Sequence, residues 1–356
     1  MIWSVDSIKG EQTILGVGVP LETAEMVRLR LINSNILIRY KKPFKSEGFV
    51  FFPITDSRPI PELLRDISFK FQQSYFTSRS EQESITTTLR KEFPNVNLEE
   101  LSIKFDQLGE IAILKLNPAS SSLFFRKRVG ELILSHSKRI KAVLNKSDAV
   151  EGTKRVYPTE HLAGEKIWQS WHQEYGVMIF IDLRAYFNPR LAEEHHRVAM
   201  SVNPGEKILD LFTGVGSFAL HCAKSALSNT VAIDINPYAI YALQRSIRRN
   251  KLRGTIYPII GDSRNILRLQ GLFDRVIINL PQQAVNFLPY AIRLLKKGGV
   301  INFYQFISKM ENPEKQFQKL LAKKLVNINS YKELYFKVGR EISPSRAQVN
   351  VDIQIN

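Results

Sequence analysis

The second half of the chain places polar residues and glycines directly after four apolar segments that predict β-strands. These residues are Asp210 with Gly214 and Gly216 after KIL, Asp234 after TVAI, Gly261, Asp262 and Ser263 after TIYPII, and Asn279 and Pro281 after FDRVII. Because the carboxyl ends of parallel strands meet at one edge of a sheet, we expect these side chains to lie together. The glycines let backbone N–H groups approach a ligand at the start of the helix FALHCAKSAL. The pattern therefore predicts the nucleotide-binding edge of an α/β sheet.

The first turn alone leaves the kind of nucleotide open. A dinucleotide-binding turn needs G-x-G-x-x-G, or alanine in the third place, and Ala219 stands there after Gly214 and Gly216. Asp234 lies 24 residues after Asp210 and suits an acid that binds ribose hydroxyls. A dehydrogenase is disfavoured by the acid after the third strand and the Asn-Leu-Pro after the fourth.

The four sites in series resemble those of class I S-adenosylmethionine-dependent methyltransferases. In that family the first turn wraps the methionine part, the second acid holds the ribose, the third holds the adenine amine, and the fourth strand faces the target nucleophile. The resemblance implies S-adenosylmethionine as the cofactor. The residues that it assigns to cofactor binding are Asp210, Phe212, Gly214, Gly216, Asp234, Ile235, Asp262, Ser263 and Asn279.

A narrower resemblance comes from motifs spread over roughly residues 105–310. They are Arg155 in GTKRVYPTEHLAG, then HQEYG, YFNPRLAEEHHR, DLFTGVGSF, AIDINPYA, GDSR and INLP. Together they closely resemble the tRNA guanine-37 N1-methyltransferase family of archaea and eukaryotes. The N-terminal FVFFPITDS also looks like the first domain of that family. The resemblance implies transfer of a methyl group to N1 of guanine 37 of tRNA, beside the anticodon.

Methylation at guanine N1 requires a base that removes the N1 proton and a positive group that stabilises charge on O6. By resemblance, Glu194 is the base, Arg155 is the O6 partner, and Asn279 and Pro281 shape the slot for the flipped base. The family also places aromatic residues near the target base, and these correspond to Tyr186 and Phe187. Arg190 is expected to contact the RNA or to brace Glu194.

Several positions depart from the family pattern and keep alternatives open. The sequence has Val156 and Tyr157 after Arg155, His195 after Glu194, and ISPSR where the family has a SYAPR-like motif. These changes leave open a bifunctional or dedicated enzyme that methylates C7 of the tricyclic wyosine precursor at position 37. A tRNA-binding protein that keeps the methyltransferase fold without catalysis is the alternative from another functional class.

The most basic stretch of the chain precedes these motifs. From Arg126 to Arg155 there are nine Lys or Arg and three acidic residues, a local balance of +6. Residues 126–144 predict a helix whose apolar side contains Val129, Leu132 and Ile133. We expect Arg126, Lys127 and Arg128 to bind RNA phosphates, which supplies salt-dependent affinity without sequence specificity.

Composition points to a folded protein with a polyanionic partner. The 356 residues carry a formal net charge of +16 and are 44% hydrophobic. Cys222 is the only cysteine, which excludes an intrachain disulfide, and its spacing in a helix argues against the cysteine nucleophile of a pyrimidine C5 enzyme. The sequence has no metal-binding His/Cys pattern, signal peptide or long apolar run. We therefore expect no metal, no membrane contact and a cytoplasmic monomer.

These motifs require a sheet with helices on both faces. The predicted architecture is α/β, with a C-terminal doubly wound, Rossmann-like methyltransferase sheet and an antiparallel edge formed by the last two strands. Smaller α+β parts precede it. We predict an N-terminal tRNA-binding module over residues 1–64, a basic middle RNA-binding and active-site domain over 65–175, and the methyltransferase domain over 176–356.

Overall fold

A computed structural model describes residues 13–77, 84–101, 103–146, 158–266, 270–324, 331–343 and 345–355. The chain divides into two compact units, Met1–Lys91 and Glu92–Asn356. Arg155, the residue that the sequence assigns to guanine O6, lies outside the described residues, as does Tyr157.

The first unit is built on a four-stranded antiparallel sheet in the order β2-β3-β1-β4. Its strands are β1 (Ile14–Pro20), β2 (Phe44–Ser46), β3 (Phe49–Pro53) and β4 (Lys70–Ser74), and its helices are α1 (Ala24–Asn33), α2 (Ile60–Leu63) and α3 (Ile85–Glu92), which ends at the division between the units. Val17 and Val19 of β1 pack with Val27 and Leu31 of α1 in its core. The sheet includes β4, which lies beyond residue 64, because β4 pairs along β1.

The second unit begins with a smaller mixed sheet in the order β5-β6-β7-β8. Its elements are α4 (Leu98–Leu101), β5 (Phe105–Leu108), β6 (Ile111–Leu114), α5 (Leu123–His136), β7 (Ala142–Lys146) and β8 (Thr159–Gly164). The helix predicted over residues 126–144 is therefore too long. Its last residues form β7 instead, because Ala142, Val143 and Leu144 are buried between β6 and β8.

A two-stranded hairpin follows, formed by β9 (Gln169–Glu174) and β10 (Val177–Asp182). Tyr175 and Gly176 make its turn with φ angles of 43° and 76°. Two consecutive left-handed residues match the twist of the strands and are typical of a tight hairpin. The turn places Glu174 at the end of β9, where its side chain is buried.

A seven-stranded sheet forms the largest part of the second unit, in the order β13-β12-β11-β14-β15-β17-β16. Its strands are β11 (Lys207–Asp210), β12 (Asn229–Asp234), β13 (Thr255–Ile260), β14 (Phe273–Ile278), β15 (Leu295–Ser308), β16 (Tyr331–Ser343) and β17 (Arg346–Ile355). The helices are α6 (Ala192–Met200), α7 (Ser217–Ser225), α8 (Pro237–Arg249), α9 (Ala284–Leu294) and α10 (Pro313–Lys324).

The strand directions confirm the predicted architecture. Strands β11 to β15 are parallel, while β17 runs antiparallel to both β15 and β16. The chain turns from one half of the sheet to the other between β11 and β14, and ligands of open α/β sheets bind at such a switch point. Among the described residues, none of the helices has the length and apolar character needed to span a bilayer.

Candidate active site

A cavity of about 330 Å³ opens at the carboxyl ends of β11, β12, β13 and β14. It is lined by Tyr186, Phe212, Gly214, Asp234, Ile235, Gly261, Asp262, Ser263, Arg264, Asn279, Leu280, Gln282, Gln283 and Phe287. The structure thus brings together Tyr186 and seven of the nine residues that the sequence assigns to cofactor binding. The volume lies in the range of small-molecule sites, about 300–1,000 Å³.

Gly214 forms the floor of the turn after β11. Its φ is 55°, and a Cβ at this position would lie 2.9 Å from the carbonyl oxygen of Tyr186. Its N–H donates to Asp234 Oδ2 at 2.8 Å, and the other oxygen of this carboxylate accepts from the N–H of Asn236 at 2.8 Å. The absence of a side chain therefore lets the Tyr186 backbone approach the turn closely, and the hydrogen bonds fix the Asp234 carboxylate at the cavity wall.

Asp210 and Gly216, also predicted to bind the cofactor, do not line this cavity. The Asp210 side chain is fully buried, and burial, with the nearby Asp234 carboxylate, raises its pKa to about 7. Gly216 has φ 90° and precedes α7, and a Cβ there would overlap the side chain of Leu243. Both residues therefore belong to the turn beside the cavity, and neither forms part of the cavity surface.

The segment after β13 is held by two side-chain contacts. Arg264 donates to both oxygens of Asp262, with Nε at 3.0 Å from each. Ser263 Oγ donates to the carbonyl oxygen of Leu211, which ties this segment to the turn after β11. The Asp262 carboxylate therefore reaches the cavity already paired with a guanidinium.

Glu194 lies in the first turn of α6 and is 7% exposed. Its Oε1 accepts from Arg197 Nη2 at 2.6 Å and from Tyr304 Oη at 2.9 Å, and its Oε2 accepts from Arg197 Nε at 3.0 Å. Arg197 also donates to Asp352 at 2.7 and 3.1 Å. We call Glu194, Arg197, Tyr304 and Asp352 the Glu194 network. It fixes the orientation of a buried carboxylate that does not line the cavity.

The brace of Glu194 is Arg197 and not Arg190. The Arg190 side chain is partly exposed, and its Nε donates to Asp106 Oδ1 on β5 at 2.8 Å. This ion pair joins the segment before α6 to the smaller sheet. The expectation that Arg190 braces Glu194 is therefore wrong, because its guanidinium is directed to another acid.

Two further predicted residues are set back from the cavity. Phe187 packs edge-on against the His172 ring at 5.3 Å and joins the buried cluster under the hairpin. Pro281 is buried, and its carbonyl oxygen accepts from the N–H of Phe306 at 2.9 Å. Tyr186 and Asn279 lie at the cavity wall, whereas Phe187 and Pro281, with which the sequence analysis pairs them, do not.

The three basic residues of α5 differ in their surroundings. Arg126 is 6% exposed and donates to both oxygens of Glu160, at 2.9 and 3.1 Å. Arg128 donates to both oxygens of Glu92, at 2.8 and 2.7 Å, and to Glu131 at 3.0 Å. Lys127 is exposed. The expectation of phosphate binding by Arg126 is wrong, because its guanidinium is buried and paired with the Glu160 carboxylate.

Several residues of the site escape sequence reasoning. The i,i+3 spacing of Glu194 and Arg197 on a helix was a usable signal for their ion pair. Tyr304 and Asp352 follow Glu194 by more than 100 residues, and nothing in their local sequence links them to it. The cavity residues Gln282, Gln283 and Phe287 begin α9 or precede it, where sequence predicts only a turn and a helix.

Three stretches of the chain match known protein families. Residues 170–329 match the TRM5/TYW2 methyltransferase domain, residues 85–167 match the TYW2 N-terminal domain, and residues 16–62 match the tRNA methyltransferase 5 N-terminal domain. The matches therefore extend over parts of both compact units.

Curated relatives of this chain have two kinds of activity. The tRNA (guanine(37)-N(1))-methyltransferase Trm5b of Pyrococcus abyssi is 36% identical over 297 residues, which are 82% of this chain and 84% of the relative. The tRNA 4-demethylwyosine(37)-methyltransferase Taw21 of Saccharolobus solfataricus is 33% identical over 259 residues, which are 71% of this chain and 94% of the relative.

Solved structures show the same similarity. Trm5b from Pyrococcus abyssi matches with a TM-score of 0.68 at 31% identity, covering 96% of this chain and 99% of that one. The complex of aTrm5 and tRNALeu matches with a TM-score of 0.68 at 28% identity, covering 96% and 100%. TYW2 from P. horikoshii with MeSAdo matches with a TM-score of 0.61 at 23% identity, covering 76% and 97%. The Trm5 structures therefore account for more of this chain than TYW2 does.

Proposed function

The chain belongs to the TRM5/TYW2 methyltransferase family, and from this premise we propose that it transfers the methyl group of S-adenosylmethionine to N1 of guanine 37 in tRNA. The observation that carries the proposal is that similarity to Trm5b extends over both compact units, with 96% of this chain covered. The substrate is tRNA, and we propose that the enzyme acts on it as a monomer.

The cavity at the switch point fits S-adenosylmethionine. Gly214 presents backbone without a side chain, the Asp234 carboxylate suits the ribose hydroxyls, and Ile235 and Phe212 offer apolar surface for the adenine. A structure of the Pyrococcus horikoshii TYW2 relative contains MeSAdo, a related nucleoside. We propose that Asp262, Ser263 and Asn279 complete this cofactor site.

Bound there, S-adenosylmethionine supplies an electrophilic methyl group on its sulfonium. Methylation of guanine N1 by this group would require N1 to lose its proton. We assign this proton to Oε2 of Glu194, because Oε1 already accepts two hydrogen bonds and Oε2 accepts only one. The pairing with Arg197 holds the carboxylate in one orientation before the substrate arrives.

Other parts of the target-base site stay assigned by family resemblance. Arg155 would stabilise negative charge on O6, Tyr186 would stack on the flipped base, and Asn279 and Pro281 would shape its slot. Tyr186 and Asn279 line the cavity, which supports their roles beside the transferred methyl group.

Methylation of the wyosine precursor is the second candidate, and the similarity to Taw21 is the observation that favours it. The first unit favours guanine as the target base. Residues 16–62 match the tRNA methyltransferase 5 N-terminal domain, and the match to the P. horikoshii TYW2 structure covers only 76% of this chain. A tRNA-binding protein without catalysis is disfavoured by the intact Glu194 network and cofactor cavity.

The decisive experiment is methyl transfer from labelled S-adenosylmethionine to unmodified tRNA transcripts with G37 or A37, followed by nucleoside analysis. We expect 1-methylguanosine from the G37 transcript alone. A parallel reaction uses tRNA that carries the wyosine precursor. Absence of 1-methylguanosine from a protein that binds cofactor and tRNA would contradict the proposal, and methylation of the precursor alone would assign the second function.

A further inference from the structure

A buried cluster of Glu174, His195 and His221 lies outside the cofactor cavity. The three residues come from the end of β9, from α6 and from α7, and each is at most 4% exposed. One ligand atom from each lies within 4.8 Å of the others. His195 Nδ1 is 2.9 Å from Glu174 Oε2, and His221 Nε2 is 3.3 Å from the same oxygen. Three potential ligand atoms therefore face one small volume.

Two atoms of this cluster have unmet hydrogen-bonding capacity. Glu174 Oε1 is buried and has no hydrogen-bond partner among the described residues, and the one contact given for buried His221 Nε2 is the 3.3 Å approach to Glu174 Oε2, whose geometry is not that of a good hydrogen bond. Buried polar atoms are normally paired, and a buried carboxylate normally has a positive partner. The contacts that the described residues give Glu174 are with histidines, and none is with lysine or arginine. The cluster therefore has the chemistry of an incomplete polar site.

We propose that Glu174, His195 and His221 bind a divalent metal ion of the zinc class. Tetrahedral zinc with bonds of about 2.0–2.1 Å separates its ligand atoms by about 3.3 Å, and the two distances from Glu174 Oε2 to the histidine nitrogens, 2.9 and 3.3 Å, are close to this value. Two imidazoles and one carboxylate suit zinc, whereas magnesium and calcium prefer oxygen ligands. The metal also supplies the positive charge that the buried carboxylate lacks.

His172 stands beside the fourth position. It precedes Glu174 by two residues on β9, so both side chains leave the same face of the hairpin. Its Nε2 is 3.7 Å from Glu174 Oε1, the oxygen without a partner. Of the described residues outside the cluster, His172 thus offers a nitrogen next to the unpaired oxygen of Glu174, and we infer that it is the candidate for the fourth ligand of a structural zinc site.

The metal would join three elements that surround the active site. α6 carries Glu194 directly before His195, and α7 follows the glycine turn of the cofactor cavity. The apolar ring of Phe218 packs edge-on against His195 at 4.7 Å and shields the site. The site is therefore structural, and it holds the helix of the proposed base against the helix of the cofactor turn.

The test begins with the metal content of the full-length protein, purified without a histidine tag. We expect about one zinc per chain by elemental analysis, a lower melting temperature after chelation, and its recovery with zinc alone. Cobalt substitution is expected to give the visible absorption of a tetrahedral site. A protein without bound metal, whose melting temperature zinc does not change, would overturn the proposal and leave a hydrogen-bonded cluster.

Variants locate the site. His221→Gln and Glu174→Gln are expected to weaken zinc binding at least tenfold, while His161→Gln on β8 serves as the matched control and keeps it. His172→Gln removes a partly exposed ring and tests the fourth ligand in a protein whose circular dichroism is unchanged. Equal zinc content in the wild type and in all cluster variants would place the metal elsewhere and contradict the assignment.

Discussion

The cofactor cavity and the Glu194 network lie in the same unit and are built in different ways. The cavity is made from short segments that directly follow parallel strands, such as the turn with Gly214 and the end of β12 at Asp234. The Glu194 network joins α6 to Tyr304 and Asp352, which lie 110 and 158 residues further along the chain than Glu194. A binding site can thus follow from local motifs, whereas the orientation of a buried carboxylate depends on distant strands.

This contrast predicts that binding and proton transfer can be separated by mutation. Glu194→Gln keeps the shape of the side chain and removes the proton acceptor. Because a general base contributes about 10²–10⁴-fold to rate, we expect kcat to fall by about that factor. The dissociation constant of S-adenosylmethionine should stay unchanged, since Glu194 does not line the cavity. Single-turnover methyl transfer and equilibrium cofactor binding measure the two quantities.

Glu193→Gln is the matched control for this experiment. Glu193 is the exposed neighbour of Glu194 on the same helix, and its substitution removes the same charge. We expect wild-type kcat from this variant. A comparable loss of activity in both variants, or a parallel loss of cofactor affinity in Glu194→Gln, would contradict the separation of the two regions.

The cavity region has its own buried carboxyl, and this predicts an unusual pH dependence. The pKa of Asp210 is about 7 in the folded protein because of burial, against about 3.9 in an unfolded chain. The unfolded state therefore loses this proton first, and the Asp210 contribution to stability falls as pH rises from about 4 to about 7. The full difference corresponds to about 4 kcal/mol at 1.36 kcal/mol per pKa unit.

Asp210→Asn removes this titratable group. The free energy of unfolding of the variant, measured relative to that of the wild type, should therefore be higher at pH 8 than at pH 5. Urea unfolding at both pH values measures the change. Asp274→Asn is the control, because the N–H of Lys207 and the ammonium of Lys296 lower the pKa of Asp274 despite its partial burial. If the free energy of unfolding has the same pH dependence in the wild type and in Asp210→Asn, the pKa of Asp210 is not raised in the folded protein and the prediction is wrong.

The wall of the cavity can be tested at Asp234. Asp234→Asn replaces a charged acceptor by a neutral amide, and hydrogen bonds to charged groups contribute about 1.5–3 kcal/mol. We expect cofactor affinity to fall by about 10- to 100-fold, with kcat at saturating cofactor close to that of the wild type. Isothermal titration measures the affinity. Asp274→Asn, at the opposite end of β14, should bind normally, and equal weakening of both variants would argue for a general loss of structure.

The parts of the molecule that can be predicted from the sequence are those whose chemistry is carried by contiguous residues. The parallel strands, the antiparallel edge and most of the cavity wall were predicted, because apolar segments followed by Gly or Asp identify both the strands and their ends. The end of α5 was missed, because Ala142 and Val143 fit a helical pattern until their burial between two strands is known. The pairing of Arg126 with Glu160 was also missed. Glu160 lies on β8, 34 residues further along the chain, and nothing in the local sequence of α5 indicates this contact.

The smallest expected effect is on the salt dependence of tRNA binding, and it compares two neighbouring basic residues of helix α5. Lys127 and Arg128 are adjacent and each carries one positive charge, but Arg128 is held by Glu92 and Glu131. If exposed charge on α5 binds tRNA phosphates, Lys127→Ala should lower the slope of log affinity against log salt by about one. Arg128→Ala should leave the slope unchanged, because its guanidinium already neutralises acids of the protein. Filter binding over a salt series separates the two outcomes, and a wild-type slope for Lys127→Ala would exclude Lys127 as a phosphate ligand.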